Sequence, residues 1–484
     1  MWEKISKSVG DLLLCLKPNS LPNRGRTGRV PCHEIVHGAN LDVQWGSCHV
    51  CLEGSRLCMC TDHIIKDSKI VENGTATDIE HHAEANGSFA HAVLNMIGML
   101  IGLGQLSIAY AVESGGWASV FLLIGLGIIC AYSSHLLGKC LDKNPKSRSY
   151  SDIGQHAFGT KGRVLATTFV YMEIFMALVS YTISLHDNLI TVLPGIQIKV
   201  PWPKISTSQL LTIMAVLVAL PSLWLRNLSS ISFLSSGGIV MSMLIFVLVA
   251  CTPIFGGVKS YHRIPALHLH NIPSISGLYM FSYAGHIVFP DLYKAMKDPS
   301  KFTKVSIVSF TLVTALYTAL GFMGAIFFGA EVNPQITLSM PKHLVVSKIA
   351  LWATVITPMT KYALEFAPFA IQLEHKVLPD SMSSKAKMIV RGGVGSCLLL
   401  IILALALSVP YFEYVLSLTG SLVSVGICIT FPCAFYTKIC WGEISKPVII
   451  INLCLIAFGS LIGVFGTISS SKSLVQSIRR AHSA

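Results

Sequence analysis

From Ser88 onward, long apolar runs alternate with short polar joints; the first 87 residues show no such pattern. Eleven apolar stretches stand out, at about 89–112, 117–138, 164–188, 208–225, 229–254, 274–293, 304–328, 346–371, 392–409, 413–435 and 447–469. Each is near the ~20 residues that a helix needs to cross a bilayer. Lipid offers no partner to an open peptide group, so a spanning segment must satisfy its own backbone, and these runs are predicted to be helices. They are too long and too little alternating for barrel strands. Residues 1–87 mix both charge signs with Gly, Asn and Ser without a period, and read as a largely disordered, Cys-containing cytosolic tail.

Composition agrees with the pattern. Of 484 residues, 52% are hydrophobic and 12% charged, where a soluble protein carries roughly 25% charge. That excludes an ordinary soluble enzyme and a secreted disulfide module. The net charge of +12 is spread over the joints, not gathered in one patch, which argues for a bilayer and against nucleic acid as partner. With the N-terminus in the cytosol, inside joints carry seventeen Lys and Arg and outside joints nine, the bias expected of that orientation. The sequons at Asn73, Asn86 and Asn227 then fall on the cytosolic side and read as chance matches. The start has only a short apolar run, Leu12 to Leu16, and no signal peptide is expected.

Two segments are built to break. The first contains Gly98, Gly102 and Gly104, then Gln105 and Ser107; in a helix interior each glycine costs ~1 kcal/mol against Ala. The sixth contains Ser282, Gly285, His286 and then Pro290. They lie five segments apart, so they would open two five-helix repeats, inverted because five is odd. Paired interrupted helices are a sequence pointer to a transporter's midplane binding site. Freed N–H groups and the positive end of a half-helix attract a carboxylate, and freed carbonyls attract a cation. The alternative is that Gly98-xxx-Gly102 serves close helix packing. The expected organisation is a tail (1–87), two five-helix repeats (88–260 and 261–440), and an eleventh helix with a short C-terminal tail (441–484).

These residues resemble the amino acid/auxin permease family, in particular the vacuolar amino acid transporters of plants and fungi, relatives of the vesicular inhibitory amino acid transporter. The resemblance runs through Asn95 to Tyr110 with Glu113-Ser-Gly-Gly-Trp117; Tyr150 to Gly159; Asp187-Asn-Leu189; Phe281 to Pro290; Thr357 to Ala363; and Leu418 to Pro432. It covers about 88–470. It implies an all-α, LeuT-like fold of five plus five helices and one extra, with helices 1 and 6 discontinuous. It also implies proton-coupled movement of amino acids driven by a proton gradient, with no cofactor and no enzymatic activity. The branch implies antiport of neutral amino acids across the vacuolar membrane. Proton symport (vacuolar export, or plasma-membrane uptake of amino acids or auxin) and a transport-inactive sensor are the alternatives. The family commonly has Pro after Leu-Ser-x in segment 1, where this chain has Ala109.

By analogy with that fold, the substrate carboxylate is expected at the N–H groups of Gly102, Leu103, Gly104 and Gln105. Its ammonium is expected at carbonyls near Asn95 to Gly98 and Phe281 to Tyr283, with side-chain help from Asn95, Ser107 and Ser282. Their other reading is ordinary interhelical polar contact. Lys361, deep in segment 8, is either a proton-coupling cation or a partner of Glu365 one turn on. His286 is a proton relay or a hydrogen-bonded neutral ring, and Glu173 a proton carrier or a packing partner. His262, His268 and His270 form an outside loop cluster. In the tail, Cys48-x2-Cys51 has zinc-ligand spacing, with Cys58, Cys60 and His63 following, although Cys58-x-Cys60 is tight for a knuckle. A reduced cytosolic tail, or palmitoylation, is the competing reading.

Overall fold

The computed structural model describes residues 87–194, 206–224, 228–255, 264–359 and 383–483. All belong to one unit of the chain, Ala83–Ala484. Lys361 and the tail residues Cys48, Cys51, Cys58, Cys60 and His63 lie outside the described residues.

Helices dominate. In chain order they are α1 (Phe89–Leu100), α2 (Gly104–Gly115), α3 (Ser119–Lys143), α4 (Tyr150–Val192), α5 (Thr207–Trp224), α6 (Leu228–Cys251), α7 (Ile272–Ser282), α8 (Phe289–Ala295), α9 (Phe302–Phe328), the short α10 (Ile336–Ser339), α11 (Val345–Met359), α12 (Ser384–Ser408), α13 (Phe412–Thr419), α14 (Phe431–Ile439) and α15 (Lys446–Ser483). Among the described residues, six helical stretches are long and apolar enough to cross a membrane, and the bent pair α1–α2 makes a seventh. Three more, Thr207–Leu217, Val345–Met359 and Gly392–Ser408, are apolar but shorter. Segment 6 is divided between α7 and α8, so neither half reaches the length alone.

Local chemistry sets the ends. Ser88 opens α1 by accepting from the His91 N–H at 3.3 Å. Ser149 and Asp152 form a reciprocal capping box at the start of α4, tying down two donors that a helix start leaves open. Pro273 and Pro290 stand in the first turns of α7 and α8, where a missing N–H costs nothing. Gly116 follows α2 with φ +82°, and a Cβ there would lie 2.6 Å from the Pro265 carbonyl oxygen, so only glycine lets the 264–271 loop pack on the end of α2. Beyond α8, Asp298 accepts from the Ser300 side chain at 2.6 Å and from Lys301 at 3.1 Å; these bonds hold its carboxyl below the usual carboxylate range.

The packing brings both broken segments to the middle of the bundle. α9 runs against α1, α2 and α3, and α7 against α2, α13 and α15. At the α7–α13 crossing a Cβ on Gly277 would sit 2.2 Å from the Ser417 carbonyl oxygen, so the backbones touch. Between α13 and α14 the helix widens into two π-helical turns, Gly420–Ser424 and Gly426–Thr430. Such turns recur at functional sites because they free backbone groups and re-aim side chains.

Candidate functional site

The first break falls at residues 101–103, where α1 and α2 meet at 60°. Gly102 and Leu103 lie outside both helices, and neither N–H meets a carbonyl among the described residues. Leu103 caps α2 without a side-chain bond, so the positive end of α2 stays open. The second break spans residues 283–288, between the end of α7 and the start of α8.

The two breaks touch. A Cβ on Gly104 would lie 2.5 Å from both the Cα and the Oγ of Ser282, so the first residue of α2 is pressed against the last residue of α7. Across this junction stands Tyr317 of α9, fully buried. Its hydroxyl donates to the carbonyl oxygen of Leu100 at 2.8 Å and to that of Ser282 at 3.0 Å. These are the last residues of α1 and α7, the negative ends of the two half-helices.

The expected site residues sort differently around this junction. Gly102, Leu103, Gly104 and the backbone of Gln105 stand at the first break, and Ser282 and Tyr283 at the second. Gly98 does not: α1 stays helical through Leu100, and a Cβ on Gly98 would meet the Ile239 side chain at 2.2 Å, which is close packing against α6. Asn95 lies a further turn back and is half-buried. The hydroxyls of Ser107 and Ser282 bond back to their own helices, at Gly104 and Leu278. Phe281 is half-buried, and the Tyr283 hydroxyl points to Thr314 at 2.9 Å. The Gln105 amide donates to the Ser242 carbonyl of α6 at 3.4 Å, while its own oxygen is buried with no partner among the described residues. Ala109, at the family's proline position, sits five residues inside α2 and packs on Gly324 of α9; the half-helix begins at Gly104 without help from a proline.

The ionisable candidates also separate. The His286 ring is buried, with Nε2 3.0 Å from Ser133 Oγ and 3.1 Å from the Cys130 carbonyl, and it lies against Phe289 and Phe310. Its Nδ1 has no partner among the described residues. Glu173, buried in α4, accepts from Ser424 of the first π-turn at 2.9 and 3.0 Å. His268 and His270 are exposed on the loop that packs on α2. Two groups of contacts carried no sequence signal. One is Tyr317, an aromatic within an apolar run. The other is Gln335, beside α10, which donates to Asp187 at 2.7 Å and accepts from Ser184 and Asn188 at 2.7 and 2.6 Å.

A helical membrane bundle in which two broken helices meet defines the class: a membrane protein of LeuT-like fold. MhsT, solved in complex with L-phenylalanine, shares this fold: TM-score 0.51, 14% identity, 78% of this chain and 98% of that chain covered. The chain belongs to the transmembrane amino acid transporter protein family, whose model matches residues 85–471. It is 59% identical to the amino acid transporter AVT1H of Arabidopsis thaliana over 90% of this chain and 99% of that protein. It is 22% identical to the vesicular inhibitory amino acid transporter of Xenopus tropicalis over 84% and 81%. It is therefore an amino acid transporter and not an enzyme.

Proposed function

We propose that the chain exchanges neutral amino acids for protons across the vacuolar membrane, loading an acidic lumen. In this reading eleven helices cross the membrane with the N-terminus in the cytosol. Residues 88–260 and 261–440 form inverted five-helix repeats, and 441–484 adds the last helix and a short tail. The observation that carries it is the meeting of the two breaks at Gly104 and Ser282, beside the open N–H groups of Gly102 and Leu103. A substrate carboxylate fits those donors, and peptide groups recognise the part common to every amino acid. The excess of Lys and Arg on one side of the joints supports the orientation.

For the proton, Glu173 is the stronger candidate. It is a buried carboxyl whose visible partner, Ser424, belongs to a π-turn adjoining α7. A proton carried on this carboxyl would change its bond to Ser424 and so bias the packing of α4 against segment 10. His286, bounded by Cys130, Ser133 and two rings and with a buried Nδ1 that has no partner among the described residues, is the second candidate.

The test is uptake of a panel of labelled L-amino acids into proteoliposomes holding the full chain. Uptake into an acidic interior, lost on adding a protonophore and no longer pH-driven in Glu173→Gln, is expected. Uptake that needs acid outside would replace antiport by symport. Ligand binding without any flux would replace transport by sensing.

A further inference from the structure

Tyr317 stands where the two half-helices end. A half-helix C-terminus presents carbonyls with a partial negative charge, and in transporters with broken helices such carbonyls coordinate the driving cation. Here the terminal carbonyls of α1 and α7, at Leu100 and Ser282, converge on a single hydroxyl at 2.8 and 3.0 Å. That hydroxyl has one hydrogen, so the two oxygens share it. The ring arrives from α9, which packs along α1 and α2, and its centroid lies 5.6 Å from that of Tyr283, the first residue of the second break. The residue is fully buried, so water is not the competing partner.

We propose that Tyr317 is a positioning residue of the transport site: its hydroxyl pins the ends of α1 and α7 together and fills the carbonyl pair that a monovalent metal cation would otherwise occupy. The substrate site is thereby held in shape by the protein's own O–H donor, and transport proceeds without sodium. The inference rests on the reading that the two breaks form the substrate site. It adds the group that fixes their separation, and a reason why a proton, not a metal ion, can serve this chain.

The experiment compares wild type, Tyr317→Phe and Gly104→Val as full chains in proteoliposomes. Uptake of the best-transported labelled L-amino acid is measured in sodium, lithium, potassium and choline chloride. Wild-type uptake is expected to be the same in all four. Tyr317→Phe removes one oxygen and leaves two buried carbonyls facing each other. Its KM is expected to rise tenfold or more with turnover less affected, and sodium or lithium, but not choline, is expected to recover part of the loss. A merely structural tyrosine would lower the amount of folded protein without conferring cation dependence. Wild-type uptake that collapses in choline overturns the proposal, and so does Tyr317→Phe with an unchanged KM and no response to cations. Sodium-dependent wild-type uptake overturns the proposal even if Tyr317→Phe does not fold. If Gly104→Val also transports normally, the underlying assignment of the site fails as well; if it alone is inactive, the site stands and only the role of Tyr317 falls.

Discussion

Gly98, Gly102 and Gly104 look interchangeable in the sequence, and the fold gives each a different neighbour. Gly98 makes room for Ile239, Gly102 lies in the break, and Gly104 admits the backbone of Ser282. Those partners are more than a hundred residues away, so spacing alone cannot tell a packing glycine from a site glycine. The same distance hides Tyr317, which in segment 7 reads as one more core aromatic. The contacts make the ranking testable. Gly104→Ala places a methyl 2.5 Å from a main-chain atom, whereas at Gly125 of α3 nothing lies within 4 Å of a new Cβ. Overpacking costs about 1–3 kcal/mol, so Gly104→Ala is expected to cut uptake roughly tenfold or more. Gly125→Ala should match wild type in the same assay. Equal activity of the two variants would show that the approach of α2 to α7 is irrelevant to transport.

At the level of elements, both breaks were legible because helix-weakening glycines, small polar residues and a proline coincide there. The π-turns of segment 10 were not. A wide turn needs one extra residue in register, and Gly420 to Thr430 carries no mark of that in its composition. Also unannounced is a short parallel bridge at the start of α1. The Gly87 N–H donates to the Ala295 carbonyl at 3.1 Å, and the Lys297 N–H to the Gly87 carbonyl at 3.0 Å. The Tyr293 hydroxyl, donating to Asp142, secures the same end of α8 to α3. The first half of segment 1 is thus fastened to the second half of segment 6. Lys297→Pro deletes one of these donors, and Met296 already has the extended backbone (φ −75°, ψ 135°) that a following proline demands. Losing about 1 kcal/mol there should raise amide exchange across 87–100 roughly fivefold. Exchange unchanged from wild type would mean that the bridge does not restrain α1.

For the whole molecule, hydropathy alone made an all-helical membrane protein legible, because a bilayer imposes length and polarity on every span; of the eleven segments it predicts, six or seven reach spanning length among the described residues. It could not supply which segments touch, and that decides the site. The tail adjoins the segment that the bridge fastens. Removing residues 1–82 keeps Gly87 and its partners, and uptake by the shortened chain should stay within about twofold of the full chain, since a terminal segment outside a folded unit is dispensable to that unit's stability. Loss of flux with substrate binding intact would instead make the tail part of the working cycle.

The open donors at Gly102 and Leu103 belong to the main chain and not to any side chain. A surface made of peptide groups survives almost every point mutation, since an exchanged residue brings the same N–H unless it is proline. If those donors hold the substrate carboxylate, as proposed, descendants of such a transporter would be free to change which amino acid they prefer by altering neighbouring helices, while the grip on the carboxylate passes unchanged from one to the next. Diversification of cargo in this architecture is then a matter of remodelling walls around a fixed handle.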